Sequence, residues 1–255
     1  MSWYHSDWPH RLPISVDRTG TTGANDVTIS LPTTLQHLWD NVDTNGEDIR
    51  VTDADGVTLL TFDLASFNKT NQVGTLEIDG WAGPDSEHGL AWLYYGASGK
   101  STGISAFSPS SAITGYITPE APDRVLQLAP EQPGAANPRV IISKQIADQI
   151  LLYIPVSLEF SRRARGDYQG QDSYEELKSY DFIVTDAGAA QASMVAEASV
   201  RVVQVGTGQL YIRVLVKAGS SGSYYQGELL LTSTELRVAL RTFEIRVIDT
   251  VETTP

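Results

Sequence analysis

Short runs of alternating apolar and polar side chains recur along the whole chain, and this period of two constrains the fold more than any other feature. RLPISVD (11–17), DVTISLP (26–32), DIRVTD (48–53), VTLLTFDL (57–64) and TLEIDGW (75–81) each put their apolar residues on one face of an extended strand. GLAWLYYG (89–96) is apolar on both faces, the pattern of a central strand. Later come RVIISK, ILLYIPVSLEF, YDFIVTD, ASVRVVQV, QLYIRVLVKA, YYQGELLLTS and LRVALRTFEIRVID, with Gly, Ser or charged turns at the spacing of a β-sandwich. One segment breaks the pattern. TTLQHLWDNV (33–42) brings Leu35, Leu38, Trp39 and Val42 onto one helical face, with Thr33 or Thr34 expected as N-cap.

The stretch TPEAPDRVLQLAPEQPGAANP (118–138) holds five prolines, at 119, 122, 130, 133 and 138, and no sustained period. It reads as an extended, rather stiff linker (119–138) between an N-terminal domain, 1–118, and a C-terminal domain, 139–255. The expected class is all-β, two tandem antiparallel β-sandwiches. With no cysteine, no disulfide or thiolate site is available, and packing with sheet hydrogen bonds must hold the fold. No run reaches the roughly 18 apolar residues of a membrane span, and the N-terminus lacks a signal-peptide pattern. No membrane association is therefore expected. The net charge of −13 argues against nucleic acid. Residues 1–118 carry −9 of it and residues 139–255 only −2, so the halves present different surfaces.

DNVDTNGEDIRVTDADG (40–56) is the acidic stretch that most invites a chemical reading. As a calcium loop starting at Asn41 it places Asp43, Asn45 and Gly46 correctly, but the enclosing Glu at position twelve is Thr52. An irregular site using Asp40, Asp43, Asn45 or Asp48 stays open. The simpler reading makes Asn45-Gly46 and Asp55-Gly56 turn formers that lead into strands. YGASGKSTG (95–103) imitates a phosphate loop, yet only two residues separate Gly96 from Gly99 and no helix pattern follows. There is no Gly-x-Ser-x-Gly elbow, and His5, His10, His37 and His88 match no zinc spacing. No enzymatic activity, cofactor or metal is expected. All five tryptophans precede residue 93. Trp39 and Trp92 read as core, whereas Trp3, Trp8 and Trp81 are the candidates for stacking on a sugar ring, although packing is the commoner fate of such residues. SRRARGDYQGQDSYEELK (161–178) is the basic cluster, and its Arg162, Arg163 and Arg165 suit docking onto an acidic partner.

WYHSDWPHRLPISVD, DIRVTDADGVTLLTFDL and GLAWLYYGASGKST together resemble an uncharacterised domain family of bacterial surface proteins and tailed-phage virion proteins. Its pattern is W-Y…W-x-Y-R-x-P-I, then D-I-R-F/V-T-D-x-D-G, then W-x-Y-Y-G-N. His10 and Ala97 depart from it. KQIADQILLYIPVSLEF, SYDFIVTD and KAGSSGSYYQGELLLTSTELRVALRTFEIRVID are similar to small immunoglobulin-like domains of phage structural proteins. The resemblances imply a concanavalin-like or jelly-roll-like sandwich followed by an immunoglobulin-like one, and a setting in a virion. On that basis the chain is expected to be a non-enzymatic capsid decoration or head-fibre protein, made in the host cytoplasm. Its C-terminal domain would dock on the major capsid protein or another virion protein, and its N-terminal domain would be displayed. A tail or neck component, and a carbohydrate-binding module for host glycan, are the alternatives. Self-association into a dimer or trimer is compatible with the exposed strand edges.

Overall fold

The computed structural model describes residues 4–84, 86–110, 112–118, 141–145, 148–156, 176–196, 199–205, 209–234, 236 and 238–248, and it is all-β with a single α-helix among them. Seven strands precede the proline-rich segment: β1 (His10–Asp17), β2 (Asn25–Leu31), β3 (Arg50–Asp53), β4 (Phe62–Asn68), β5 (Val73–Trp81), β6 (His88–Tyr95) and β7 (Ala112–Tyr116). Eight follow it: β8 (Ile141–Gln145), β9 (Ile150–Pro155), β10 (Leu177–Asp186), β11 (Ala189–Ala190), β12 (Arg201–Val205), β13 (Gln209–Val216), β14 (Tyr224–Ser233) and β15 (Val238–Ile248). The helix α1 spans Gln36–Asn41.

Twelve strands join in one sheet, in the order β4-β5-β2-β7-β1-β6-β10-β14-β15-β8, with β3 also on β6 and β11 on β10. β12, β13 and β9 make a second sheet. It shares one core with the inner face of β10, β14, β15 and β8. Leu152, Ile154, Val202, Ile212 and Val214 from the smaller sheet cluster with Phe182, Leu229, Leu231, Phe243 and Ile245 from the larger. Pairing is antiparallel except for β2 with β7 and β15 with β8, which run parallel.

The strand β6 joins the two halves of the molecule. All eight of its residues are buried. One edge pairs with β1 along its full length. The other edge is divided: His88 and Gly89 pair with Tyr180 and Ser179 of β10, and Ala91 to Tyr94 pair with β3. Because successive side chains point to opposite faces, one strand can wall two cores. Ala91, Leu93 and Tyr95 pack with Ile14, Val16, Val27, Ile29 and the helix residues Leu38 and Trp39. Leu90, Trp92 and Tyr94 pack with Leu152, Tyr180, Val202 and Phe243 from beyond the proline-rich segment. The proposed linker, 119–138, lies outside the described residues. On either side of it the described residues share this second core and one continuous sheet.

Several local expectations shift. Leu35, Leu38, Trp39 and Val42 are all buried, but the helix has no side-chain cap; Leu35 is the N-cap residue, its amide donating to the Pro32 carbonyl. VTLLTFDL is strand only from Phe62. Asp55 holds the amides of Val57 and Thr58 at 2.9 and 2.8 Å, and this turn uses the first residues of the run. β7 carries no alternating run in the sequence: AITGY is short, and Gly115 interrupts its pattern where Ile29 and Val27 approach closely.

Candidate functional site

Within the acidic stretch 40–56 the carboxylates of Asp48, Asp53 and Asp55 accept backbone amides, and that of Asp40 accepts the Gln36 side-chain amide at 2.6 Å. Asp48 is fully buried; its two oxygens accept the amides of Asp43 at 2.9 Å and Gly96 at 2.6 Å. Asp53 accepts the Ala54 amide and the Trp81 indole N–H. Gly46 and Gly56 take φ of +71° and +73°, closing turns onto the carbonyls of Asp43 and Asp53. Of the four residues an irregular calcium site would use, Asp48 is committed to two backbone amides and Asp40 to the Gln36 side chain. Among the described residues no cluster of three or more His, Asp or Glu has the geometry to hold a metal ion.

Two of the three tryptophans nominated for sugar stacking are buried, which corrects that expectation. Trp8 is 5% and Trp81 1% exposed, so neither offers a free ring face. Trp8 donates to the Asp48 carbonyl at 2.5 Å, with Arg50 5.1 Å from its ring centre. Trp81 donates to Asp53 at 3.1 Å beneath the Arg18 guanidinium, 5.6 Å away. Trp3 lies outside the described residues, as do Arg162, Arg163 and Arg165. Trp39 and Trp92 are core, as their patterns indicate. In the Gly-Lys-Ser segment, Lys100 pairs with Asp7 and lies 5.6 Å from the Trp8 ring centre, and the described residues that follow it, as far as β7, contain no helix.

Charged groups gather at the seam between the halves. Arg11 of β1 reaches Glu176, just before β10, at 3.4 Å, and both side chains are buried. Arg11 also donates to the Tyr94 hydroxyl at 3.2 Å and lies 3.8 Å from the Trp92 ring centre. Nearby, the Val202 amide donates to the Ser15 hydroxyl at 2.6 Å, tying the smaller sheet to β1. His88 stacks on Tyr180 with ring centres 5.3 Å apart. Burial pushes the His88 pKa down, opposed by Asp17 and Asp181. Glu87 is pushed up by burial, then by Asp181 and Asp17. Glu87 itself is exposed at the margin of the seam, whereas Arg11, Glu176, Ser15, His88 and Tyr180 are buried and fasten the two halves together.

The outward face of β10, β14, β15 and β8 is different. Ten large apolar side chains are exposed among the described residues. Seven of them, Ile141, Ile183, Tyr224, Leu230, Leu236, Val238 and Leu240, lie on these strands or in the turn joining β14 to β15. Strand alternation puts Tyr224, Gln226, Glu228 and Leu230 on this face, opposite Arg246, Glu244, Thr242 and Leu240 of β15. Beside the β10–β11 turn the face dips into a concavity of about 500 Å³ that reaches along β15 as far as Leu240. Its lining includes Tyr224, Gln226, Leu240, Thr242 and Glu244, with Ala187 and Gly188 of the β10–β11 turn beside them. Tyr224 is 52% exposed, and Arg246 lies 5.3 Å from its ring centre. Glu228 is fixed from two sides: the Thr185 hydroxyl donates to its Oε1 at 3.1 Å and the Gln226 amide at 3.3 Å. Sequence patterning marks YYQGELLLTS as a strand, but only the pairing with β10 and β15 shows which of the two tyrosines points outward.

No family model and no curated protein matches the chain. Among solved structures the chain is similar to SporoSAG from Toxoplasma gondii at 12% identity, over 89% of this chain and 93% of that one. The TM-score is 0.19, too low to carry an argument.

Proposed function

We propose that this chain is a non-enzymatic structural protein of a tailed-phage virion, a decoration or head-fibre protein of the capsid surface. The observation that carries the reading is the distribution of exposed apolar surface. Among the described residues most of it gathers on one sheet face of the C-terminal half, and an apolar patch of that kind marks a place of assembly. It is densest at the β14–β15 turn, where Leu236 is 69% and Val238 63% exposed beside Leu230 and Leu240. That turn is the part of the C-terminal half that would meet the major capsid protein or another virion protein. The N-terminal half, with −9 of the net charge, is the displayed part. The sequence resemblances point to the same setting. Among the described residues, the tryptophans and Asp48, which suggest chemistry in the sequence, are buried and bonded within the fold, which fits a scaffold.

Purified particles from the producing strain decide the matter. Tens to hundreds of copies per particle, counted against the major capsid protein, are expected. A handful of copies moves the protein to the neck or tail, and absence from particles overturns the reading. Because the halves share a core, the docking test uses the full chain: Leu236→Asp with Val238→Asp is expected to abolish incorporation while the protein stays folded. Unchanged incorporation removes the turn from the interface.

A further inference from the structure

We propose that the concavity on the outer face of β14 and β15 is a saccharide site, and that its ligand is a neutral hexopyranose unit of a glycan. This goes beyond the assignment to a particle and does not depend on it. A pyranose ring presents an apolar face of C–H groups and a rim of hydroxyls. A complementary site needs an exposed aromatic ring with fixed hydrogen-bonding groups about one ring-width away. Tyr224 supplies the ring, half exposed, with Arg246 beside it to limit its rotation. Gln226 lies two residues along the same strand and face, about 7 Å from Tyr224, which is close to the width of a sugar ring. Its amide is already oriented by the bond to Glu228, and Glu228 is itself held by Thr185, so these polar groups are set before a ligand arrives. Oε1 of Gln226 and Oε2 of Glu228 take no bond among the described residues and are acceptors for sugar hydroxyls. A concavity of about 500 Å³ lies within the range of small-molecule sites and holds one or two sugar units.

The charge of the site selects the sugar. Glu244 lines it, Glu228 lies on the same sheet face next to the lining Gln226, and Asp186 leads into the turn beside it, so carboxylates outnumber the Arg246 guanidinium beside Tyr224. Carboxylates accept hydroxyl donors from a neutral sugar and repel a uronic or sialic acid. Leu236 and Val238 of the β14–β15 turn lie beyond the concavity, whose lining reaches along β15 only as far as Leu240, and Tyr224 and Gln226 sit toward its other end, so docking through Leu236 and Val238 leaves the aromatic end of the concavity open.

The test is a glycan array carrying neutral hexose glycans and acidic glycans, probed with the purified full chain. Saturation-transfer NMR on the strongest neutral oligosaccharide follows. Binding to neutral glycans and none to acidic ones is expected. Tyr224→Ala should weaken binding about tenfold, the scale of one lost aromatic stack, while Tyr224→Phe retains most of it. Gln226→Ala should also weaken it, with the circular dichroism of every variant unchanged. Failure to bind any neutral glycan, a preference for acidic glycans, or Tyr224→Ala binding like the parent overturns the proposal. None of these outcomes alters the copy number in particles, so the two readings fail separately.

Discussion

Two arginines lie beside aromatic rings on neighbouring strands, and they do different work. Arg11 is 3.8 Å from the Trp92 ring centre, buried at the seam with Glu176 and Tyr94 as further partners. Arg246 is 5.3 Å from the ring centre of Tyr224, on the outer surface. The pairing is the same kind of chemistry in both places. In the seam the surroundings are apolar, so every polar group must be matched and each partner depends on the others. Outside, water matches whatever the protein does not, and the aromatic ring stays available to something else. Burial, more than residue type, separates the part of this molecule that holds it together from the part that is free to bind.

The seam should therefore break first and hardest. Glu176→Ala removes the Glu176 carboxylate from beside the buried Arg11 guanidinium, a change that costs about 3–5 kcal/mol. The double variant Arg11→Met with Glu176→Met removes both charges and should be more stable than Glu176→Ala alone, because the ion pair is long at 3.4 Å and its attraction only partly offsets desolvation. Denaturant unfolding of the three proteins measures both differences. If Glu176→Ala loses less than about 1 kcal/mol, the pair behaves like an exposed one and the contrast with Arg246 collapses. Both halves should unfold in one transition, since Leu90, Trp92 and Tyr94 belong to the core of the C-terminal half.

A smaller effect is expected where the smaller sheet meets β1. Ser15→Ala removes the acceptor of the buried Val202 amide and should cost about 1–3 kcal/mol. Ser15→Thr keeps the oxygen and tests whether the loss is the hydrogen bond. If alanine and threonine are equally destabilising, the site responds to shape.

Much of this seam was legible in the sequence, and its consequence was not. GLAWLYYG announces a strand buried on both sides, but not which residues cover the second side; the answer, Leu152, Tyr180 and Phe243, lies more than fifty residues away. The five prolines of 119–138 suggest a break, because composition reports local stiffness and says nothing of whether the cores on either side merge. Trp8 and Trp81 look like loop residues beside Pro9 and Gly80, yet their N–H groups are bonded to Asp48 and Asp53, forty and twenty-eight residues off. The alternating runs and the apolar face of α1 depend only on neighbours along the chain, and those were readable. The outward tyrosine depends on register, which no local pattern encodes.

Acidification should distinguish the seam from the outer face as well. Burial holds the His88 pKa below 6.5 in the folded protein, while the unfolded chain protonates near that value. Below pH 6.5 the unfolded state binds more protons, so stability falls with pH and levels off beneath the folded pKa. Asp17 and Asp181 moderate the shift. Glu87 acts oppositely at lower pH: its raised folded pKa means that acidification towards 4.5 returns stability. The melting temperature should therefore drop between about pH 7 and pH 5.5, the range in which histidine titrates. His88→Phe, which keeps a ring against Tyr180, should flatten that slope. An unchanged slope assigns the pH dependence elsewhere, with His10, also depressed by burial and by His37, the first alternative.

The smallest effect on stability is expected from Tyr224→Ala and Arg246→Ala, within about 0.5 kcal/mol of the parent. Tyr224 is half exposed and Arg246 is exposed, so truncation leaves no buried cavity and no unmatched charge. This near-neutral result gives the comparison its content. A ring that contributes little to folding, while its counterpart at the seam is indispensable, is free to serve a ligand. If Tyr224→Ala instead destabilises the protein by as much as Ser15→Ala, the outer pair is holding the sheet together, and the distinction between a structural and an available aromatic fails at the place where it matters most.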